Sequence, residues 1–592
     1  MNHRKQLGKI ILTLLFAYLL INPATSCYGK IKKYQPDAQD KERGYFFYTK
    51  PVFESVLPSY YPRPREVIKE KIDFFASLNE YEPVTFFIYA LKELRDVKVS
   101  VGELKSGRNT IPAKNIDLRI VKCWKQRDPL DFKKTRIIPE LLVKDDRIEL
   151  KGFFSSMPLT SFVSTDIPAN SSKQIWITVK TSLQTKPGTY SGIIHIEAKN
   201  IPKARIKLEL NLLPIKLLPP DKNYCIYFHG SSFGLPWWKE KTADPQAWEN
   251  QCRKELIDLR EHGFQSAETY APLTGSTKTG KLVLDFSNLK KALQLHIEAG
   301  LIGPTPYEMG YSKIDGRGTF DFRSYYRSAE ERKLFYYTIE KVVAQVEEFN
   351  KKEFNSTPQL FYYGIDEANR DPKRSPFQDV PDHSVGVCKK IFEATYRGGG
   401  LNVCAVYRSK QGGFDILGPL TDIPNYSYGS VFPGTSPEVI KEEVKKKKNV
   451  WYYWQCWMEN PKENRLMSGF ILEKSGCTGV MPWAYMSSSR DPYNDFDGKD
   501  MCIAYPSKEE PIPTLAWEAI REGVDDVRYL TTLKELIKKQ KDTRKVQRAK
   551  KVISEIMDKI SLNVSESLFD LTDKDLQDLR WRIAQEIMRL RR

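Results

Sequence analysis

Residues 361–370, FYYGIDEANR, end an apolar run in two adjacent carboxylates, Asp366 and Glu367. Paired acids at the close of a buried strand suit a proton donor held beside a charged partner, the arrangement that glycosidic bond cleavage uses. Read alone, the same dipeptide is equally a solvated acid pair on a loop. The elements around it decide between the two readings.

From Pro220 onward the pattern repeats strand and then helix. Candidate strands lie at 224–229, 266–271, 302–307, 361–366, 402–408, 423–428, 450–456 and 479–486. Between and after them come helical patterns at 245–262, 286–299, 329–350, 380–396, 437–447 and 464–474. Eight alternations predict a (β/α)8 TIM barrel, in which active sites sit at the C-terminal ends of the strands. Asp366 and Glu367 close the fourth strand. Neighbouring strand residues face opposite ways, so both acids share one site only where the strand bends away.

Other strand ends carry groups suited to sugars. His229 closes the first, Tyr307 and Glu308 the third, Tyr407 and Arg408 the fifth and Tyr428 the sixth. The seventh supplies Trp451, Tyr452, Tyr453, Trp454 and Trp457, and the eighth Trp483 and Tyr485. Aromatic faces stack on the apolar faces of pyranose rings. His229, Tyr407, Tyr428, Trp454, Trp483 and Tyr485 are therefore the candidate substrate contacts. The competing reading turns half of these side chains outward, as core beneath the helices.

His195, His262, His296 and His383 are not spaced with Cys or carboxylates as a metal set, and no GxSxG, P-loop or GxGxxG motif occurs. The acidic loop at 491–497 lacks EF-hand spacing. These residues give no metal set, and the loop reads as polar rather than as a calcium site.

Residues 45–219 read as an antiparallel β-sandwich, from β-rich runs at 84–91, 97–101, 116–124, 175–181, 190–196 and 206–212 and a turn at 186–189. Lacking clustered exposed aromatics, it reads as a support for the next domain more than as a carbohydrate-binding module. LLPIKLLPP at 212–220 reads as an extended connector. Pro513 opens a helix with an apolar stripe at Leu515, Ala516, Ala519, Ile520, Val524, Val527 and Leu530. Amphipathic segments at 546–560 and 575–590 complete a C-terminal helical region. The expected organisation is a signal peptide at 1–26, a linker at 27–44, the sandwich at 45–219, the catalytic domain at 220–510 and the helical region at 511–592.

The start of the chain has the pattern of an export signal: His3, Arg4, Lys5 and Lys9, an apolar run at 10–21, then Ala24, Thr25 and Ser26 before Cys27. Two outcomes stay open: secretion, or a periplasmic or cell-surface lipoprotein tethered through a lipid on Cys27. Eight scattered cysteines follow without a CxxC pair, which argues against a zinc ribbon or a disulfide-dense scaffold but leaves room for one or two disulfides. The 592-residue chain carries a formal net charge of +18. Its basic residues are dispersed and no nucleic-acid module is recognisable, so nucleic acid is not expected as a partner. An exported basic protein suits anionic or sulfated glycans, and a charge surface that serves only solvation is the plainer alternative.

The order of sandwich, barrel and strand-end Asp366-Glu367, the WYYWQC at 451–456, the MPWAY at 481–485 and the PTLAWEAIREGVDDVRYL at 513–530 resembles the family-123 glycoside hydrolases, β-N-acetylgalactosaminidases and their relatives. The resemblance covers nearly the whole mature chain, and EAIREGVDDVRYL is its most specific part. It implies a retaining, substrate-assisted mechanism with Glu367 as acid and then base and Asp366 orienting the 2-acetamido group; strand position alone offers Tyr428 or Tyr485 to bond the acetamido oxygen and Trp483 to wall its methyl. It implies no metal or organic cofactor. Two alternatives are a glycosidase of other specificity on the same scaffold and a non-catalytic, glycan-binding surface lipoprotein.

Overall fold

The computed structural model describes residues 33–591 except 55, 129–130, 230–243, 311, 319–328, 365–384, 407–416, 431–433, 489–490 and 498–500. The export segment with Cys27, and Asp366, Glu367 and Tyr407, lie outside the described residues.

The N-terminal third forms two sheets over a shared core. One contains Tyr81–Ala90, Ser171–Lys180 and Ile116–Arg127; the other contains Leu94–Val101, Gly188–Ala198 and Ile201–Lys216. Strand alternation sorts the side chains. Val84, Phe86 and Ile88 join Val97, Val99, Ile194 and Ile196 in one apolar cluster, while Phe87 and Tyr89 pack on the opposite face with Phe46 and Tyr48. The pairing is antiparallel as expected, except that Ile201–Lys216 runs parallel to Lys71–Leu78. That last strand extends into the expected connector. Pro214 falls where the register breaks between Leu212 and Lys216, a place where a missing N–H disturbs the ladder least.

The following unit holds one parallel sheet: β1 (Asn223–Tyr224), β2 (Thr305–Tyr307), β3 (Leu360–Tyr363), β4 (Leu401–Val406), β5 (Ile423–Ser427), β6 (Trp451–Tyr453) and β7 (Gly479–Val480), in the order β1-β7-β6-β5-β4-β3-β2. The sequence predicts eight strands; the described sheet has seven. The missing one, 266–271, makes no regular ladder, yet its backbone touches both edges. Glu268 N donates to the Ile226 carbonyl at 2.9 Å and Thr269 N to the Pro306 carbonyl at 2.9 Å.

The helices around this sheet are α1 (Pro245–Glu261), α2 (Ser287–Ala299), α3 (Ala329–Phe354), α4 (Val385–Arg397), α5 (Pro437–Lys446), α6 (Pro461–Ser468) and α7 (Phe470–Ser475). After them come α8 (Leu515–Lys539), α9 (Thr543–Asp558), α10 (Val564–Asp570) and α11 (Asp573–Arg591). The single helix expected at 464–474 is two helices broken at Gly469. A Cβ there would sit 3.1 Å from the Cα of Gly523, so the two glycines let α6 and α7 meet α8 backbone to backbone.

The EAIREGVDDVRYL motif lies in α8, and its charged residues are buried. The carboxylate of Asp526 accepts from Arg465 Nε at 2.9 Å and Nη2 at 3.0 Å, and from Arg580 Nε at 2.7 Å. Arg580 also reaches Glu522 at 2.5 Å and Glu82 of the sandwich at 3.3 Å. Burial pushes Glu82 and Glu522 upward and holds Glu80, beside them, up to about 7. Two guanidinium groups thus face four carboxylates, and the raised proton affinity of Glu80, Glu82 and Glu522 keeps the cluster near neutrality. One turn earlier, His262 stacks on Trp517 at 4.1 Å between Asp258 and Glu518. These carboxylates outweigh burial and push its pKa up to about 9.

Two outcomes are expected. Replacing buried Arg580 with Met strands its carboxylates and should lower stability in urea by about 3–5 kcal/mol, whereas Lys574→Ala, at an exposed ion pair, should leave the midpoint unmoved. His262 binds its proton more tightly folded than unfolded, so its contribution is complete below about pH 6.5 and is lost as pH rises through about 9. The wild type should lose on the order of 3 kcal/mol across that window relative to His262→Gln; parallel pH profiles would show that His262 is folded in its neutral form.

Candidate active site

Parallel strands gather all their C-terminal ends on one side of the sheet, and there the inner-face side chains form a cluster of their own. Cys225, Tyr227, Phe361, Tyr363, Val403, Ala405, Ile423, Trp451, Tyr453 and Met481 pack together, with Trp483 partly buried against them. The spacing of two within 225–227, 361–363, 403–405 and 451–453 is the strand alternation, made visible by burial.

Polar groups line the rim of this cluster. Tyr227 and Tyr363 share a hydroxyl–hydroxyl bond of 2.8 Å, and Asn425 Nδ2 donates to Tyr227 at 3.3 Å. His229 stands edge-on to Trp483, ring centroids 4.6 Å apart, and its Nε2 lies 2.6 Å from the hydroxyl of Tyr270. Tyr270 gives its only proton to buried Glu268. Its oxygen can then only accept, so His229 carries its proton on Nε2 and presents Nδ1 as a lone pair. Burial holds His229 down to about 4, so the ring is neutral at ordinary pH. The arrangement offers aromatic faces with hydroxyls, an amide and a neutral imidazole, backed by the buried Glu268 carboxylate, the chemistry that hydroxyl-rich ligands need.

The sequence-expected contacts divide. His229 and Trp483 meet at the inner rim. Tyr428, Trp454 and Tyr485 do not: each joins the helix-side core and spends its polar atom on the protein. The Tyr428 hydroxyl donates to the Leu562 carbonyl, Trp454 Nε1 to Asn464 Oδ1 at 2.8 Å, and the Tyr485 hydroxyl to Asp258 Oδ2 at 2.8 Å. The physical reason is alternation: with Trp451 and Tyr453 inside, Tyr452 and Trp454 must face out. Tyr407, Asp366 and Glu367 lie outside the described residues; in the sequence the acid pair follows the last residue of β3 after Gly364 and Ile365. Sequence reading passed over Tyr227, Glu268, Tyr270, Tyr363 and Asn425. The signal was the i, i+2 spacing of Tyr227 with His229 and of Glu268 with Tyr270, which sets each pair on one face.

Loops at this rim are tied to the frame. Glu463 of α6 accepts from Ser430 N at 2.8 Å and Ser430 Oγ at 2.6 Å, pinning the loop that leaves β5. In the loop after β7, Asp495 accepts from Arg127 N at 2.6 Å and Asp491 from Gly152 N at 2.8 Å, so its carboxylates hold sandwich backbone. Among the described residues no group of His, Cys, Asp and Glu is placed to bind a metal, and no disulfide forms.

Residues 70–198 match the glycoside hydrolase 123 N-terminal domain, and residues 246–533 match the glycoside hydrolase 123 catalytic domain. The chain belongs to glycoside hydrolase family 123. The catalytic match runs through the α8 motif, so the helix that carries the buried charges is part of what the family shares. The fold agrees with that of a family 123 glycoside hydrolase from Clostridium perfringens, at a TM-score of 0.60 and 14% identity over 88% of this chain and 93% of that one. A Bacteroides ovatus xyloglucanase aligns at a TM-score of 0.33 with 9% identity, over 76% of this chain and 98% of its own. A Thermotoga petrophila endo-1,4-β-D-mannanase aligns at 0.33 with 12% identity, over 52% and 99%. No curated protein matches the chain. This family 123 enzyme is a glycoside hydrolase, and it acts on a glycan.

The division of the aromatics is open to test by mutation. Trp483→Ala should lower kcat/KM about 10–100-fold with the fold intact, while Tyr428→Phe should leave kcat/KM within about twofold and lower stability by about 1 kcal/mol. A loss of activity in Tyr428→Phe equal to that in Trp483→Ala would return Tyr428 to the site.

Proposed function

We propose that this glycoside hydrolase is exported and cleaves β-linked N-acetylgalactosaminides with retention, the substrate's own 2-acetamido group acting as nucleophile. The observation that carries the reading is that the acid pair Asp366-Glu367 follows β3 in the sequence after only Gly364 and Ile365, and that the last residue of β3, Tyr363, belongs to the aromatic inner face. Glu367 protonates the departing glycosidic oxygen while the acetamido carbonyl oxygen attacks the anomeric carbon. Asp366 holds the acetamido N–H and balances the positive charge that develops on the oxazolinium ring. Glu367, now a carboxylate, takes a proton from water as it opens that ring. His229 and Trp483 contact the sugar at the rim.

The backbone bonds of the 265–269 segment to both sheet edges support a closed eight-stranded barrel, with this site at its C-terminal mouth. The domain limits follow the same reading, with the sandwich at 45–219, the catalytic unit from 220 and a helical region at the C-terminus. The basic N-terminus, apolar run and small residues before Cys27 support export, either as a lipoprotein or as a secreted enzyme. The Clostridium perfringens relative was analysed for glycolipid glycan hydrolysis, which makes a glycolipid headgroup a natural substrate to try here. The excess of basic residues favours anionic or sulfated forms of such glycans.

The test is hydrolysis of aryl β-N-acetylgalactosaminide beside the N-acetylglucosaminide and the plain galactoside. Cleavage of the first alone is expected. Glu367→Gln should lose at least about a hundredfold on substrates with poor leaving groups. Asp366→Asn should lose activity on the acetamido sugar, and full activity there together with equal cleavage of the plain galactoside would overturn the assisted mechanism.

A further inference from the structure

The chain after α1 comes back to β1, where Tyr224 N donates to Gln265 Oε1 at 2.6 Å, so the last turn of α1 lies at the opposite end of the sheet from the rim just described. There it meets α8 and the sandwich around a cavity of about 280 Å³. Lys180 comes from the sandwich, Arg260 and His262 from the end of α1, and Arg521 and Arg528 from α8. Against these five basic side chains the lining has two carboxylates, Glu261 and Asp525.

The pairing among them is uneven. One oxygen of Glu261 serves both Lys180 at 3.3 Å and Arg260 at 3.8 Å, so two exposed cations share a single charge. Asp525 is taken by Arg528 at 2.5 Å, and His262 is balanced behind the cavity wall by Asp258 and Glu518. Arg521 is the most constrained. Its side chain is 8% exposed, it lies over the Tyr81 ring at 5.0 Å and one Nη binds Glu518, yet its Nε donor has no acceptor. A buried guanidinium N–H without an acceptor is costly, and a planar guanidinium edge matches an oxyanion.

We propose that this cleft binds an oxyanion, a sulfate, phosphate or carboxylate group, clamped between Lys180 of the sandwich and Arg260, Arg521 and Arg528 of the catalytic unit. The anion takes up the Arg521 Nε donor and the charge that Glu261 leaves unbalanced, and it ties the sandwich to the catalytic unit. The clamp lies away from the rim and is independent of the sugar specificity proposed above.

Inorganic sulfate titrated into the intact chain at constant ionic strength tests the clamp. A saturable one-to-one heat is expected, with a rise of roughly 2–4 °C in unfolding midpoint beyond that given by chloride. Lys180→Ala/Arg260→Ala, both exposed positions, should fold normally and lose most of that excess, and Arg521→Lys should weaken binding at least tenfold. Equal midpoint rises in wild type and double variant, without a saturable heat, would mean that sulfate acts only by exclusion from the surface, and would overturn the proposal. A sulfated galactosaminide disaccharide distinguishes the source. Tighter binding than sulfate assigns the clamp to a glycan, and equal or weaker binding to a free anion. Turnover of the aryl galactosaminide by the double variant should equal that of wild type, so failure of the clamp and failure of the glycosidase reading are separable.

Discussion

The carboxylate of Asp526 sits between two buried arginines that arrive from different parts of the chain, Arg465 from α6 and Arg580 from α11. Arg580 extends the contact to Glu82 of the sandwich. Buried charges are tolerated only when their partners are present and well oriented, so this junction forms with all three parts in register or not at all. Its geometry accounts for the density of charged residues in α8, a helix whose surroundings would otherwise call for apolar side chains. Gly523 and Gly469 serve the same junction from the steric side, by letting α8 and α6 approach closely enough for the ion pairs to close.

The same frame reaches the rim of the sheet through α6. Arg465 binds the buried junction, while its neighbours Glu463 and Asn464 hold Ser430 and the indole of Trp454. A single short helix therefore connects the buried charge junction to the loop that leaves β5 at the rim of the sheet. The aromatic strand β6 works in both directions. Tyr452 donates to the Met467 carbonyl and anchors the strand to α6, whereas Trp451 and Tyr453 face the interior.

The inner face differs in kind from the junction behind it. Where α8 relies on full charges, the rim relies on hydroxyls, a neutral imidazole and aromatic rings, with His229, Tyr270 and Glu268 in one hydrogen-bonded chain. That chain fixes the imidazole tautomer without charging it. Neutral groups of defined direction beside aromatic walls suit the recognition of hydroxyls.

Much of this was legible in the sequence. Strand and helix periods located the sandwich, the alternating unit and the long terminal helices, because periodicity is a local property that backbone geometry imposes on burial. The family was legible as well, in motifs that keep their spacing. Local pattern could not say which face of a strand turns inward: Trp451, Tyr452, Tyr453 and Trp454 look alike until the neighbouring strands set the register. Nor could it show why EAIREGVDDVRYL is dense in charge, since Arg465 and Arg580, which bind Asp526, and Glu82, which binds Arg580, are far from it along the chain and come together only in the folded molecule. The sequence by itself determined the elements, their order and the family. The tertiary structure decided which aromatics turn to the inner face of the sheet and which charges are buried, because both depend on contacts between residues distant in the chain.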